Sequence, residues 1–112
     1  MTSKLTHFET QAIHAGYTVD KTTHSTQTPL YMTSSYSFES AEQAARIFAG
    51  EEQGFVYSRV NNPTNDVLEK RMALLEGVDA GIATSSGLAA ILVLILSLCK
   101  NGDEILVSPK LY

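Results

Sequence analysis

The feature that most constrains the fold is an almost unbroken apolar run that begins at Leu88 and ends at Cys99. The run is about twelve residues long, whereas a helix that spans a membrane needs roughly twenty. We therefore expect a buried core helix that is apolar on every side and is covered by protein on more than one face. Lys100-Asn101-Gly102 follows, where a cation and then a glycine favour the end of a helix.

Strand-like runs flank this helix. Ala80-Gly81-Ile82-Ala83-Thr84 precedes it, and Glu104-Ile105-Leu106-Val107-Ser108 follows it. Strand, helix and strand in this order predict a βαβ unit, and hence an α/β fold with a parallel sheet. Because two parallel strands alone leave the faces of a sheet uncovered, we expect the start of a larger domain that is incomplete here.

Two further helices are expected earlier in the chain. The first begins after Ser40, which has Gln43 three residues on in the manner of a capping box, and ends at Gly50. The second begins at Asn62-Pro63, an N-cap residue followed by proline at the first helical position. Gly77 is the expected end of the second helix.

The first part of the chain, up to about residue 36, carries little periodicity and reads as extended. Such a segment can hardly bury itself, so it should lie on another surface, such as that of another subunit. We accordingly predict an extended N-terminal arm with one helix over residues 1–56, and the start of a second domain over residues 57–112.

Composition and charge argue against several functions. The net charge is −4, and eight basic residues are scattered among twelve acidic ones, so we do not expect a nucleic-acid partner. A lone cysteine and the absence of a signal-peptide pattern favour a cytoplasmic protein that is not bound to a membrane. The three histidines lack metal-ligand spacing, so no metal site is expected.

The first candidate site is the turn Thr84-Ser85-Ser86-Gly87-Leu88, between a predicted strand and the apolar helix. Unpaired N–H groups and the positive end of the helix dipole make such a turn suitable for an anion. Gly87 would let the backbone approach a phosphate closely, and Ser86 would add a hydroxyl donor. Taken alone, however, this pattern is more often a plain serine N-cap.

Two more candidates carry aromatic or basic side chains. Tyr57 and Arg59 are two positions apart on an extended segment, so they point the same way and suit recognition of a phosphate. Tyr112 lies just past the second predicted strand, where ligands of open parallel sheets gather, and would stack on a flat ring. Taken singly, the first pair reads as a surface arginine beside a packed tyrosine, and Tyr112 carries no signal.

Taken together, the motifs resemble the Cys/Met-metabolism (trans-sulfuration) family of pyridoxal-phosphate enzymes. They occur in this order: Tyr57-Ser58-Arg59, Asn62-Pro63-Thr64, Leu75-Glu76-Gly77, Ser86-Gly87-Leu88-Ala89-Ala90 and Gly102-Asp103-Glu104. The resemblance covers nearly the whole chain. It implies an N-terminal arm plus the start of the parallel-sheet major domain of a fold-type-I pyridoxal-phosphate transferase.

Within that family the chain is most similar to the O-succinylhomoserine sulfhydrylases. This similarity rests on Leu30–Tyr36, Phe48–Glu51 and Ile91–Cys99. It implies a γ-replacement on O-succinylhomoserine, or on O-acetylhomoserine, in which sulfide gives homocysteine. The alternatives within the family are methionine γ-lyase and cystathionine γ-synthase or γ-lyase. An alternative of another class is a truncated, non-catalytic remnant that acts as a binding or assembly module.

The resemblance also implies roles for single residues. Tyr57 and Arg59 would bind the cofactor phosphate of the neighbouring subunit, in a dimer within a homotetramer. The main-chain amides of Gly87 and Leu88, with Ser86 nearby, would hold the phosphate of their own subunit. Leu88 replaces a methionine common in the family, which a backbone contact tolerates.

Tyr112 would stack on the pyridine ring of the cofactor and take part in proton transfer at the leaving group. The Schiff-base lysine of the family is absent from this chain, since none of its lysines lies in the Ser-x-Thr-Lys context that the family uses. Without that lysine the 112-residue chain alone is expected to be inactive.

Overall fold

A computed structural model describes residues 7–111. It contains four helices: α1 (Phe8–His14), α2 (Ala41–Phe48), α3 (Pro63–Glu76) and α4 (Gly87–Leu98). The chain divides into two compact units, Met1–Ile82 with α1 to α3 and Ala83–Tyr112 with α4. The boundary predicted between residues 56 and 57 stays a prediction.

Helix α2 begins as its capping pattern predicts. The Ser40 Oγ accepts a hydrogen bond from the Gln43 backbone N–H at 3.1 Å. The Gln43 side chain reaches back and accepts from the Glu39 N–H at 2.8 Å, one residue before the N-cap. Two N–H groups at the start of the helix are thereby satisfied by side chains, which confirms the predicted start.

Helix α2 also ends where the sequence predicts, with Gly50 at a φ of +74°. The Gly50 N–H donates to the Ile47 carbonyl at 3.0 Å, and the Glu51 N–H donates to the Arg46 carbonyl at 2.9 Å. This pair of bonds is the Schellman arrangement, which needs a left-handed residue at the position of Gly50.

Helix α3 begins at the predicted cap and ends at the predicted glycine. The Asn62 Oδ1 accepts from the Thr64 N–H at 2.8 Å, and Pro63 occupies the first helical position. Gly77 has a φ of +68° and ends the helix. Both bounds of the predicted helix are therefore confirmed.

Helix α1 was not predicted, because residues 8–14 were expected to be part of an extended arm. It packs on α3. Ala15 is buried, and its carbonyl accepts a hydrogen bond from the Arg71 Nε at 2.8 Å. A helix of two turns is marginal by itself, so this contact with a distant element decides its conformation.

Gly16 permits this close approach. Its φ is +78°, and a Cβ placed there would lie 2.7 Å from the Val67 carbonyl oxygen and 2.8 Å from the Arg71 backbone nitrogen. No side chain fits at this position, since both contacting atoms belong to the backbone of α3. The contact between α1 and α3 therefore requires glycine.

The described residues contain no β-strand, so the predicted βαβ unit is not observed in them. Residues 80–84 and 104–108 make no strand pairing. The one β-bridge in the described residues is antiparallel and joins Ser35 to Tyr57. A parallel strand exists only through hydrogen bonds to its neighbours, and those neighbours lie far away in sequence. The parallel sheet stays a prediction.

Helix α4 lies at the predicted place but is not buried. None of its residues is buried among the described part of the chain, and Leu96 and Leu98 are 71% and 73% exposed. Gly102, expected to close the helix, instead lies in a separate turn in which the Asp103 N–H donates to the Lys100 carbonyl at 3.1 Å. Its φ of +98° is what the third residue of a type II turn requires.

Candidate active site

The side chains of Tyr57 and Arg59 lie together. The central guanidinium carbon of Arg59 is 5.1 Å from the centroid of the Tyr57 ring, within the range of a cation–π contact. Both residues are exposed, and the tyrosine retains 40% of its accessible surface. A hydroxyl and a planar fork of N–H donors thus face solvent side by side, a donor set that fits a phosphate group.

The segment that carries this pair is held by backbone hydrogen bonds. The Ser58 N–H donates to the Ser34 carbonyl at 2.9 Å, and the Tyr36 N–H donates to the Val56 carbonyl at 3.3 Å. The bridge between Ser35 and Tyr57 lies between these two bonds. Residues 34–36 and 56–58 therefore form a short antiparallel pair, although neither segment is long enough to be a strand.

Asn62 lies beneath this pair and is the one polar residue buried among those the structure describes, with 8% of its surface exposed. Its Nδ2 lies 2.9 Å from the Tyr31 carbonyl oxygen, 2.9 Å from the Ser58 Oγ and 3.1 Å from the Tyr36 hydroxyl. The sequence predicted Asn62 only as a helix cap. Its partners lie up to 31 positions away, and no local pattern reveals them.

Thr64 makes a similar connection to the same segment. Its hydroxyl donates to the Pro29 carbonyl at 2.9 Å and accepts from the Tyr31 N–H at 2.9 Å. The beginning of α3 therefore fixes residues 29–31, which were expected to be extended. The sequence shows Asn62-Pro63-Thr64 as a motif, but no local pattern indicates this role of the Thr64 side chain.

The second candidate is the turn at the start of α4. The Ser86 Oγ accepts from the Ala89 N–H at 3.1 Å, and the Thr84 hydroxyl donates to the Ser86 carbonyl at 2.8 Å. The N–H groups of Gly87 and Leu88 belong to the first turn, so they have no acceptor within the helix. Ser86 is therefore both an N-cap and the centre of a turn with outward-pointing donors.

Space and charge at this turn suit an anion. A Cβ built on Gly87 meets nothing within 4 Å, so the backbone is open to a ligand. The first turn of α4 contains no acidic residue, whereas Glu9, Glu42 and Asp66 lie in the first turns of the other three helices. The positive end of the α4 dipole thus has no acidic side chain in its own first turn, and the donors present fit a phosphate group.

Tyr112 lies outside the described residues, so its predicted role stays a prediction. Within residues 7–111 no group of three or more histidine, cysteine or acidic side chains is placed to hold a metal ion. No helix in that same range is long and apolar enough to cross a membrane.

Titratable groups away from the two candidates have lowered pKa values. Hydrogen bonds from the Gln43 side chain and then from Arg46 lower the pKa of Glu52. Hydrogen bonds from the Thr23 backbone and hydroxyl lower the pKa of Asp20. Both carboxylates are stabilised in the charged form by local donors, and they support the loops around them.

Comparison with known proteins extends these observations. The sequence pattern of the family described as "Cys/Met metabolism PLP-dependent enzyme" matches residues 9–112. An O-acetyl-L-homoserine sulfhydrylase of Thermus thermophilus is 52% identical over 105 residues, which are 94% of this chain and 25% of that protein. An L-methionine gamma-lyase of Pseudomonas putida is 44% identical over 110 residues, which are 98% of this chain and 28% of that protein.

Solved structures agree with the sequence matches. The crystal structure of an O-acetylhomoserine (thiol)-lyase of Campylobacter jejuni, which holds N'-pyridoxyl-lysine 5'-monophosphate, is similar with a TM-score of 0.82 and 42% identity. The match covers 87% of this chain and 24% of that one. The crystal structure of cystathionine gamma-lyase of Lactobacillus plantarum is also similar, with a TM-score of 0.72 and 39% identity. That match covers 87% of this chain and 23% of the other. The chain spans about a quarter of the length of these relatives.

Proposed function

Because the chain belongs to the Cys/Met-metabolism family of pyridoxal-phosphate-dependent enzymes, we propose that the complete protein replaces the γ-substituent of an O-acylhomoserine with sulfide to give homocysteine. The observation that carries this proposal is the 52% identity to the Thermus thermophilus sulfhydrylase across 94% of the chain. The donors of Tyr57 and Arg59 and those of the turn at Ser86 give the proposal its physical basis.

In the proposed enzyme, Tyr57 and Arg59 bind the cofactor phosphate of the neighbouring subunit. The guanidinium of Arg59 presents its planar N–H fork, and Tyr57 presents a hydroxyl beside it, so both charge and hydrogen-bond geometry would hold the anion. Such sharing across subunits requires an oligomer. We propose a homotetramer built as a dimer of dimers, which is cytoplasmic and binds neither nucleic acid nor membrane.

Ser86, Gly87 and Leu88 bind the phosphate within their own subunit. The N–H groups of Gly87 and Leu88 point out of the first turn of α4, and the helix dipole favours a negative charge there. When bound, pyridoxal phosphate supplies an electron sink that stabilises carbanions on the amino-acid substrate. Holding the phosphate at two points fixes the orientation in which that chemistry takes place.

Tyr112 and the parallel sheet complete the proposed site. Tyr112 would lie against the pyridine ring and move a proton at the leaving group. The runs at residues 80–84 and 104–108 would become strands when the remaining strands of the major domain provide ladder partners. The lysine that carries the cofactor would come from the part of the protein that this chain does not span, so the 112-residue chain alone would be inactive.

The acyl group of the substrate is the finer part of the proposal. Relatives from Thermus thermophilus, Leptospira meyeri and Corynebacterium glutamicum are named O-acetyl-L-homoserine sulfhydrylases and are 52%, 48% and 49% identical to this chain. These names favour the acetyl ester, while the resemblance given by the sequence motifs favours the succinyl ester. Methionine γ-elimination is a second candidate, because a methionine gamma-lyase of Pseudomonas deceptionensis is 47% identical.

The test begins with the intact mass of the protein from its own cells. A mass several times 12.2 kDa would make this chain part of a complete enzyme. The purified protein would then be supplied in turn with O-acetylhomoserine and sulfide, with O-succinylhomoserine and sulfide, and with methionine alone. Homocysteine from either ester supports the proposal and identifies the acyl group. Production of 2-oxobutanoate from methionine, without homocysteine from either ester, would favour the lyase instead.

A mass of 12.2 kDa would contradict the proposal in a different way. The protein would then lack a cofactor lysine in the family context, and no turnover of any of these substrates is expected. Binding or assembly would be the functions left to it. The mass measurement therefore separates the enzyme from the non-catalytic alternative before any assay is run.

A further inference from the structure

Asn62 is buried in a place where each of its polar atoms has a partner. Burying an amide without partners is unfavourable, so its hydrogen bonds decide whether the position is tolerated. Its Oδ1 accepts a hydrogen bond from the Thr64 N–H at 2.8 Å. Its Nδ2 donates to the Tyr31 carbonyl and to the Ser58 hydroxyl, each at 2.9 Å, and it also lies 3.1 Å from the Tyr36 hydroxyl.

The hydroxyl of Ser58 connects the Asn62 amide to the segment that carries Tyr57 and Arg59. Ser58 donates its single proton to the Thr33 carbonyl. Its oxygen is therefore an acceptor for both the Asn62 Nδ2, at 2.9 Å, and the Tyr36 hydroxyl, at 3.3 Å. The direction of all three hydrogen bonds at this oxygen is thus defined.

Ser58 lies between Tyr57 and Arg59. The sequence predicts an extended segment here, but these residues begin a turn, in which the Val60 N–H donates to the Tyr57 carbonyl at 2.8 Å. The side chain of Ser58 is bonded to Asn62, and the two flanking side chains lie together, 5.1 Å from guanidinium carbon to ring centroid. Rotation of this segment would break the bonds of Ser58 and would displace both donors. The orientation of the exposed pair is therefore coupled to the buried amide.

We propose that Asn62 is a positioning residue, which acts through Ser58 to hold Tyr57 and Arg59 in the orientation that receives a cofactor phosphate. The inference rests on the proposed function, in which that pair binds phosphate. It adds a role for a side chain that touches neither cofactor nor substrate. The N-cap of α3 and the phosphate donors would then share one residue, so that folding of the helix and preparation of the site occur together.

The test measures the affinity of the complete, cofactor-free protein for pyridoxal 5'-phosphate and for pyridoxal, which lacks the phosphate. The ratio of the two affinities reports the phosphate contacts, whereas general damage to the fold changes both affinities. Asn62→Ser keeps an N-cap acceptor but removes the amide donors. Ser58→Ala removes the connecting hydroxyl at a half-buried site, so it serves as a second variant if Asn62→Ser does not fold.

We expect both variants to lower the affinity for pyridoxal 5'-phosphate about tenfold and to leave that for pyridoxal unchanged. Ser40→Ala, which removes the equivalent cap of α2, should leave the ratio unchanged. Arg59→Ala defines the loss of the guanidinium contact. In an Arg59→Ala background the effect of Asn62→Ser should be smaller, since only Tyr57 is left to position.

Two results would overturn the inference. They differ in whether the proposed phosphate role of Tyr57 and Arg59 survives. If Arg59→Ala lowers the ratio but Asn62→Ser and Ser58→Ala do not, Asn62 is a structural cap only and the proposed function stands. If Arg59→Ala itself leaves the ratio unchanged, the phosphate role of the pair fails, and the positioning role fails with it.

Discussion

The guanidinium carbon of Arg59 lies 5.1 Å from the centroid of the Tyr57 ring, so the ring supports the cation from one side and leaves its N–H fork towards solvent. We predict that Arg59→Lys lowers the affinity of the complete protein for pyridoxal 5'-phosphate about tenfold. The charge is kept, but the planar pair of donors and the stacking on the ring are lost. Titration of the cofactor-free protein measures this.

The matched control for that change is Arg46→Lys. Arg46 is an exposed residue of α2 whose guanidinium pairs with Glu52 at 2.9 Å, so the same substitution is made where no cofactor is proposed. We expect its cofactor affinity to equal that of the unchanged protein. Equal affinities for Arg59→Lys and the unchanged protein would show that a point charge is sufficient at position 59.

At the start of α4, we predict that Ser86→Asp lowers the affinity for pyridoxal 5'-phosphate by at least about tenfold, while Ser86→Asn changes it much less. Both side chains cap a helix as well as serine does, so α4 begins in the same way in either variant. The two differ by one negative charge next to the N–H groups of Gly87 and Leu88, where it competes with the phosphate. If the two variants have the same affinity for pyridoxal 5'-phosphate, the phosphate does not bind at the start of α4.

For the packing of α1 on α3, we predict that Gly16→Ala lowers the free energy of unfolding by about 2 to 4 kcal/mol. The new Cβ would meet backbone atoms of Val67 and Arg71 at 2.7 and 2.8 Å, in addition to the strain of a φ of +78°. Gly50→Ala is the control, since its φ is +74° but its Cβ would meet nothing within 4 Å. It should cost only the strain, about 1 kcal/mol.

Urea unfolding of the complete protein and the two variants distinguishes these contributions. The larger shift of the midpoint should belong to Gly16→Ala, provided that the slope of the transition is the same for both variants. If both substitutions shift the midpoint equally, the close contact between Gly16 and α3 does not contribute to stability.

The pKa of Glu52 is lowered by hydrogen bonds from the Gln43 side chain and from Arg46, so its charged form is preferred in the folded state. A lowered folded-state pKa contributes stability that is fully present above the unfolded-state pKa and is lost as pH falls through the folded-state pKa. We predict that Glu52→Gln is less stable than the unchanged protein near neutral pH, and that the difference disappears in acid.

Unfolding curves recorded at a series of pH values between neutral and strongly acidic provide the measurement. The two proteins should converge as the pH falls below the ordinary pKa of a glutamate, and not before. A difference that is constant across the series would mean that the carboxylate acts by packing and not through its charge. Because Glu52 is on the surface, added salt should reduce the difference at neutral pH.

Local signals predicted the helix boundaries well, because each depends on residues a few positions apart. Ser40 and Gln43, Asn62 and Pro63, and the left-handed Gly50 act within one turn of their own helix. The same reasoning misplaced Gly102, since a glycine after a helix fits a helix end and a separate turn equally well. The φ of +98° was foreseeable, but the bond from Asp103 to Lys100 was not.

Features that depend on distant residues were not predictable in this way. Helix α1 is fixed by a bond from Arg71 to Ala15, which joins positions 56 apart, and the amide of Asn62 reaches Tyr31 across 31 positions. The donors at Tyr57 and Arg59 were found because they are close in sequence. The side chain beneath them was read only as a cap, since its other partners come from a different segment.

Helix α4 has a practical consequence for work with this polypeptide. Most of its apolar side chains are exposed, and no residue of the helix is buried, whereas soluble monomers seldom expose extended apolar surface. Removing it from water is favourable by about 25 cal/mol per Å². A solution that contained these 112 residues alone would therefore lower its free energy by self-association, and the concentration of the sample would decide which species is measured.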